Sequence, residues 1–240
     1  MTNAQLIEAC EKEVRALSNT AEKGHDWFHI NRVRNNALKI QALEGGDRDS
    51  LELAALLHDI DDAKFNGGDE KAGAEKAFAL LLSLGASEPK SRQISDWIAA
   101  CSYKGGNQKE SDQLEVLILR DADRLDAIGA IGIARCFHYG GFKNQAIYDP
   151  DIPVRDRMST QEYRQGPSSS INHFHEKLLK LKEGMYTATA KAMAEERHQF
   201  MLRYLEQFYE EWSQKEKGPP GPPFQSMDRL TIPGFEGSPV

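Results

Sequence analysis

The chain has 240 residues, a formal net charge of -7 and 40% hydrophobic residues, which is ordinary for a globular protein of one large domain or two small ones. The acidic balance argues against general nucleic-acid binding, because a phosphate backbone is bound by a basic surface. No stretch approaches the roughly 20 apolar residues of a membrane span, and the first residues contain no signal-peptide apolar region. The three cysteines form no CxxC motif. We therefore expect a cytoplasmic protein with reduced thiols that binds neither nucleic acid nor a membrane.

Apolar residues recur at helical spacing along most of the chain, from Leu6, Cys10 and Val14 onwards. We predict helices over about 3–18 and 27–43, from near 50, and over about 70–84, 90–101, 113–138, 171–183 and 187–215. Glycine pairs predict breaks at 45–46, 67–68, 105–106 and 140–141. The apolar run VLILRDAD is compatible with a buried strand as well, and only its helical surroundings favour a helix.

Two segments lack helical periodicity. Residues 139–170 are rich in turn formers, which suits either a lid over a site or a surface insertion. The segment 218–240 is rich in proline and glycine and is predicted to be a flexible tail. The expected organisation is one domain over 1–217 followed by this tail.

Histidines and aspartates cluster at three places in the predicted helices. His29 lies one helical turn after His25, and His58 is followed at once by Asp59 at the end of an apolar run. The third cluster combines apolar residues with Asp121, Asp123 and Asp126. Carboxylates in apolar helices need ion pairs, hydrogen bonds or a metal. A mixed imidazole and carboxylate set suits a divalent ion such as Mn, Fe, Co, Ni or Zn.

Four motifs occur in order along the chain. They are HDWFHINRV (25–33), LLHDIDDAKF (56–65), SYKGG (102–106) and DADRLDAIGAIGIAR (121–135). With them the chain, from about residue 3 to 215, resembles the HD superfamily of metal-dependent phosphohydrolases, and within it the small soluble bacterial hydrolases.

The resemblance implies an all-α fold, the HD-domain helical bundle, with a metal site between helices. It places the metal ligands on His29, His58, Asp59 and Asp123, and the ion as Mn, Mg, Co, Ni or Fe. Asp123 is favoured because it stands in an A-D-R-L context. Asp121 and Asp126 stay open as competitors.

The resemblance also suggests roles around the metal. Asp62 is expected to position or activate the attacking water, and Lys64 to act beside it at the phosphate. Expected substrate contacts are His25, Arg32, Lys104 and His173. Each has a plainer alternative, because Asp62 could be a solvated turn residue, Arg32 could pair with an acidic neighbour, and His173 could lie on a helix surface.

The expected function is hydrolysis of a phosphate or pyrophosphate ester, of a nucleotide, by metal-activated water. The alarmone hydrolases of the superfamily have Glu-Asp where this chain has Asp62-Ala63, which weighs against that substrate. The alternatives are a non-nucleotide phosphomonoesterase and a non-catalytic sensor of a metal or phosphorylated ligand. The partner is a small phosphorylated substrate, and a homodimer is left open.

Overall fold

The computed structural model describes residues 1–18, 26–60, 72–101, 111–155, 166 and 168–213. These residues form α-helices and one 3₁₀ segment, with no strand among them. The helices are α1 (Asn3–Ser18), α2 (Trp27–Glu44), α3 (Arg48–Leu57), α4 (Ala72–Ser83), α5 (Glu88–Cys101), α6 (Leu114–Asp126), α7 (Gly129–Phe142), α8 (Ser170–Glu176) and α9 (Ala188–Trp212). The all-α prediction is confirmed, and VLILRDAD is helical.

The core of Met1–Arg203, the larger of two compact units, is built around α2, α3 and α6. Helix α3 is buried from Ser50 to Leu57, because its apolar residues surround the whole helix instead of one face. Its single buried acid, Glu52, is bound by the guanidinium of Arg34 on α2. Helix α3 packs against α2 and α6, and His58 at its C-terminal end lies close to His29 of α2.

Both ends of helix α3 are defined by capping residues. The carboxylate of Asp47 accepts a hydrogen bond from the backbone amide of Ser50 and caps the first turn. The last helical residue is Leu57, and His58 is the C-cap. The helix therefore ends immediately before the His58–Asp59 pair, and Asp59 lies outside the helix.

The single helix predicted over 113–138 is wrong, because the chain breaks between α6 and α7. Gly129 begins α7 at φ +75°, in the left-handed region, and a Cβ there would lie 2.9 Å from the side chain of Arg197. Only glycine fits both demands. The predicted break at 140–141 is also wrong, since α7 continues to Phe142. The break at 45–46 is confirmed by positive φ at both glycines.

The segment after α8 is a 3₁₀ helix, Leu178–Gly184, where one helix over 171–183 was predicted. It leads into α9 through Tyr186 and Thr187, whose backbone amides bond to Asp121 of α6. Near the end of α9, Phe208 stacks on Trp212 within the second compact unit, Tyr204–Val240. The predicted boundary after 217 lies outside the described residues. No described helix combines the length and apolar character that crossing a bilayer requires.

Candidate metal centre

His29 lies in the first turn of α2. The carboxylate of Asp26, the N-cap of this helix, accepts a hydrogen bond of 2.9 Å from the backbone amide of His29. The cap fixes where the helix begins and therefore which way residue 29 faces. Its imidazole is directed inward and only 1% of the side chain is exposed.

His58 lies at the end of α3 with its ring orientation set by the backbone. Its Nδ1 is 2.8 Å from the carbonyl oxygen of Ala55, and a carbonyl can only accept, so Nδ1 carries the hydrogen. The lone pair is left on Nε2. That nitrogen is buried and has no hydrogen-bond partner among the residues that the structure describes.

The side chains of His29, His58 and Asp59 converge from two separate helices. Each offers one donor atom, and the three donor atoms lie within 4.8 Å of one another. Nε2 of His29 is 3.4 Å, and Nε2 of His58 is 4.0 Å, from the same carboxylate oxygen of Asp59. On a continuous helix adjacent residues point about 100° apart. The side chains of His58 and Asp59 nevertheless approach one point, since the Asp59 oxygen lies near both rings.

These three donors fit a divalent metal. Two imidazole nitrogens and a carboxylate oxygen are ligands that first-row divalent ions accept. A buried ring nitrogen that bears a lone pair costs free energy unless something binds it. The unsatisfied Nε2 of His58 therefore supports the same interpretation as the donor set.

The three aspartates of α6 have different surroundings. Asp123 approaches the centre, with Oδ1 3.6 Å from Nε2 of His29, and its side chain is 52% exposed. Asp121 is buried and accepts hydrogen bonds from the backbone amide and hydroxyl of Thr187. Burial raises the pKa of Asp121, although hydrogen bonds from Thr187 and Tyr186 oppose the shift. Of the three, Asp123 is the one that shares the side of the imidazole facing Asp59.

Asp126 lies on the other side of the His29 ring. Its Oδ2 is 2.7 Å from Nδ1 of His29, and its carboxylate binds Arg32 at 2.6 Å and Arg135 at 2.5 Å. Burial alone would raise the pKa of Asp126, but hydrogen bonds from His29 and Arg32 and the charge of Arg135 hold it well below its usual range. The carboxylate is thus ionised and buried, as one partner in a cluster with two guanidinium groups and an imidazole.

In the metal-free protein the neighbouring carboxylates also determine the pKa of His29. Burial favours the neutral ring, but the hydrogen bonds to Asp126 and Asp59 and the charge of Asp123 outweigh it and raise the pKa of His29 to about 9. An imidazole must be neutral to bind a metal, so any ion entering here displaces a proton.

The other predicted site residues are placed as follows. Arg32 is bound to Asp126, the ion pair considered as its alternative, while its predicted substrate contact stays a prediction. His173 lies on α8, and burial, aided by Lys177, lowers its pKa to about 4, so the ring is neutral at pH 7. The predicted roles of four other residues fall outside the described residues: His25, Asp62, Lys64 and Lys104.

Arg135 was not singled out from the sequence. It lies on α7, nine residues after Asp126, and reaches back across the break between α6 and α7. The sequence indicated only that an aspartate in an apolar helix, such as Asp126, needs a cation as its partner. Which arginine supplied it depended on the position of the break.

The HD domain family model matches residues 27–128, a range that includes His29, His58, Asp59 and Asp123. The Bacillus subtilis protein YpgQ is 34% identical over 209 residues, covering 86% of this chain and 94% of YpgQ. A crystal structure of an HD-superfamily hydrolase from Bacillus thuringiensis is 42% identical, with a TM-score of 0.72 over 89% of this chain and all of the other. The crystal structure of YpgQ in complex with ADP is 33% identical, with a TM-score of 0.68 over 88% of this chain and 97% of the other.

These similarities extend far beyond the matched motifs and cover nearly the whole length of each relative. They agree with an all-α structure in which a histidine of one helix meets the His-Asp pair at the end of another. The chain therefore belongs to the HD superfamily of hydrolases, as a member with the HD domain.

Proposed function

We propose that this chain hydrolyses a phosphate or phosphoanhydride bond of a small nucleotide, using a divalent metal held by His29, His58, Asp59 and Asp123. The observation that carries the proposal is the convergence of three donor atoms within 4.8 Å, one of them the unsatisfied Nε2 of His58. Asp123 is added as the fourth ligand because its Oδ1 is 3.6 Å from His29 Nε2.

The four side chains differ in exposure in a way that suits substrate entry. Both imidazoles and Asp59 are largely buried, whereas the carboxylate of Asp123 is half exposed. The centre is therefore accessible from the side of α6. A divalent ion bound there would polarise a phosphoryl oxygen and activate a water molecule for attack.

The charges nearby support an anionic substrate. Arg32 and Arg135 both bind the buried carboxylate of Asp126, and about a third of each arginine side chain is exposed. We propose that these exposed guanidinium groups contribute contacts to an anionic substrate. We propose that Lys64, Lys104, His25 and His173 add substrate contacts, and that Asp62 orients the attacking water.

A nucleotide is the proposed substrate because the related YpgQ was crystallised with ADP. The experiment is a release assay for phosphate and pyrophosphate with purified protein, across nucleoside mono-, di- and triphosphates and simple phosphomonoesters, each with Mn, Mg, Co and Ni. Product analysis distinguishes the bond that is cleaved.

The matched variants are His58→Gln, which removes a proposed ligand, and Glu52→Gln, which alters a buried carboxylate of the preceding helix α3 that binds Arg34 instead. We expect turnover in wild type and Glu52→Gln, and none in His58→Gln. Hydrolysis of simple esters in preference to nucleotides would favour a general phosphomonoesterase. Absence of any release would reject catalysis and leave a metal or ligand sensor.

A further inference from the structure

One helix places a carboxylate near each nitrogen of the His29 imidazole ring. Asp126 approaches Nδ1 of His29 at 2.7 Å, and Asp123 approaches Nε2 at 3.6 Å. The two aspartates are three residues apart on α6, so they are neighbours on one face of that helix. His29 therefore lies between two carboxylates whose separation is fixed by a single helical turn.

Whether the ring is neutral or protonated, the contacts of Nδ1 show that this nitrogen carries a hydrogen. A carboxylate has no hydrogen to donate when ionised, and the cation-rich surroundings of Asp126 keep it ionised. Two acceptors 2.7 Å apart would repel, so the hydrogen must be on Nδ1. Arg135 is also 3.2 Å from Nδ1, but it can only donate, and it has a better acceptor in Asp126 Oδ2 at 2.5 Å.

Asp126 is itself held rigidly. Nε and an Nη2 of Arg32 bind its two oxygens at 2.6 and 3.0 Å, and Arg135 binds Oδ2. The carboxylate is almost completely buried, so it cannot rotate away without leaving charged groups unpaired. Its position, set by partners on α2 and α7, in turn sets the plane of the His29 ring.

From this geometry we propose that Asp126 is a positioning residue for the metal, acting through His29. Its carboxylate keeps the hydrogen on Nδ1, aims Nε2 towards Asp59 and Asp123, and offsets the two guanidinium charges that would otherwise oppose a nearby cation. The inference rests on the proposed function, because it requires His29 to be a ligand through Nε2. It also explains why one helix carries both Asp123 and Asp126.

The test is Co²⁺ affinity of the purified full chain, measured by competition with a chromophoric chelator. Asp126→Asn keeps the size of the side chain and removes its charge. We expect it to bind Co²⁺ about 10–100-fold more weakly than wild type, the usual cost of losing an outer partner of a metal-bound histidine. Glu52→Gln is the control, since Glu52 is a similarly buried, arginine-bound carboxylate whose described ion pairs run to Arg34 and Arg48. Its affinity should stay within about twofold of wild type.

A second measurement needs no variant and remains valid if Asp126→Asn does not fold. In wild type loaded with Zn²⁺, a diamagnetic probe, long-range ¹H–¹⁵N spectra of the His29 ring should show a protonated Nδ1 and a metal-bound Nε2. The reverse pattern would overturn the inference.

Asp123→Asn separates failure of the inference from failure of the proposed function. If Asp126→Asn binds Co²⁺ as wild type does while Asp123→Asn has lost affinity, the positioning role is rejected and the metal centre stands. If wild type itself binds no Co²⁺, the proposed metal centre fails, and the role of Asp126 fails with it.

Discussion

Metal binding to this chain should depend steeply on pH because His29 must lose a proton first. The carboxylates around the ring raise the pKa of His29 to about 9 in the metal-free protein. At pH 7, two units below that value, the neutral ring makes up about one molecule in a hundred. Proton competition at this one residue should therefore weaken the apparent affinity about 100-fold relative to its value well above pH 9. The affinity should rise about tenfold per pH unit between pH 7 and 8.5 and level off above about 9.

The assay is isothermal titration of metal-free wild type with Co²⁺ at several pH values below 9, in buffers that differ in ionisation enthalpy. The dependence of the heat on buffer gives the number of protons released. We expect about one proton per bound ion from His29 at pH 7, and the dissociation constant should follow the same titration.

The control is His29→Gln, whose side chain has no proton to release in this range. A Co²⁺ affinity of wild type that does not change from pH 7 to 8.5, with no proton released, would refute this pH dependence. Such a result would mean either that His29 does not coordinate through Nε2 or that its carboxylate neighbours do not hold a proton on the ring.

Other changes should separate ligation, catalysis and folding. Asp123→Asn should lower metal occupancy and activity together, whereas Asp62→Asn should leave occupancy, measured by elemental analysis, nearly unchanged and reduce turnover by about 10²–10⁴; the opposite pattern would reverse the two roles. In the metal-free protein, the raised pKa of His29 means that its ion pairs stabilise the fold fully below about pH 6.5 and lose this effect as the pH rises through about 9. The melting temperature of metal-free wild type should accordingly fall over that interval more than that of His29→Gln. Phe174 of α8 is fully buried, so Phe174→Ala should cost about 3–5 kcal/mol in urea unfolding, and a loss below 1 kcal/mol would contradict its place in the core. Removal of the chain after residue 217 should leave melting temperature and turnover nearly unchanged, and a large loss of either would show that the segment supports the fold or the site.

Much of the helical fold could be predicted from local pattern. The apolar spacing of α1 and α2 and the continuous apolar run of α3 each specify a helix and a buried face without reference to the rest of the chain. The break at Gly129 could not be predicted in this way. Glycine is tolerated inside helices, whereas this one adopts φ +75° and the side chain of Arg197, almost 70 residues away in sequence, lies against the position that a Cβ would occupy.

The candidate site, too, has features that the sequence predicts and features that depend on the tertiary structure. The sequence by itself determined the donor types and named His29, His58, Asp59 and Asp123, through motifs whose order resembles a known family. Helical geometry could also have separated Asp121, which lies about 200° around α6 from Asp123.

It could not separate Asp123 from Asp126, because residues three apart are only about 60° apart on a helix. Only the tertiary structure distinguishes their surroundings. The ring of His29 enters from α2 between the two carboxylates, and the arginines of α2 and α7 occupy Asp126, so Asp123 alone of the pair faces the centre. The physical reason is that a carboxylate takes its role from the charges around it, and in this chain those charges lie up to 94 residues away in sequence.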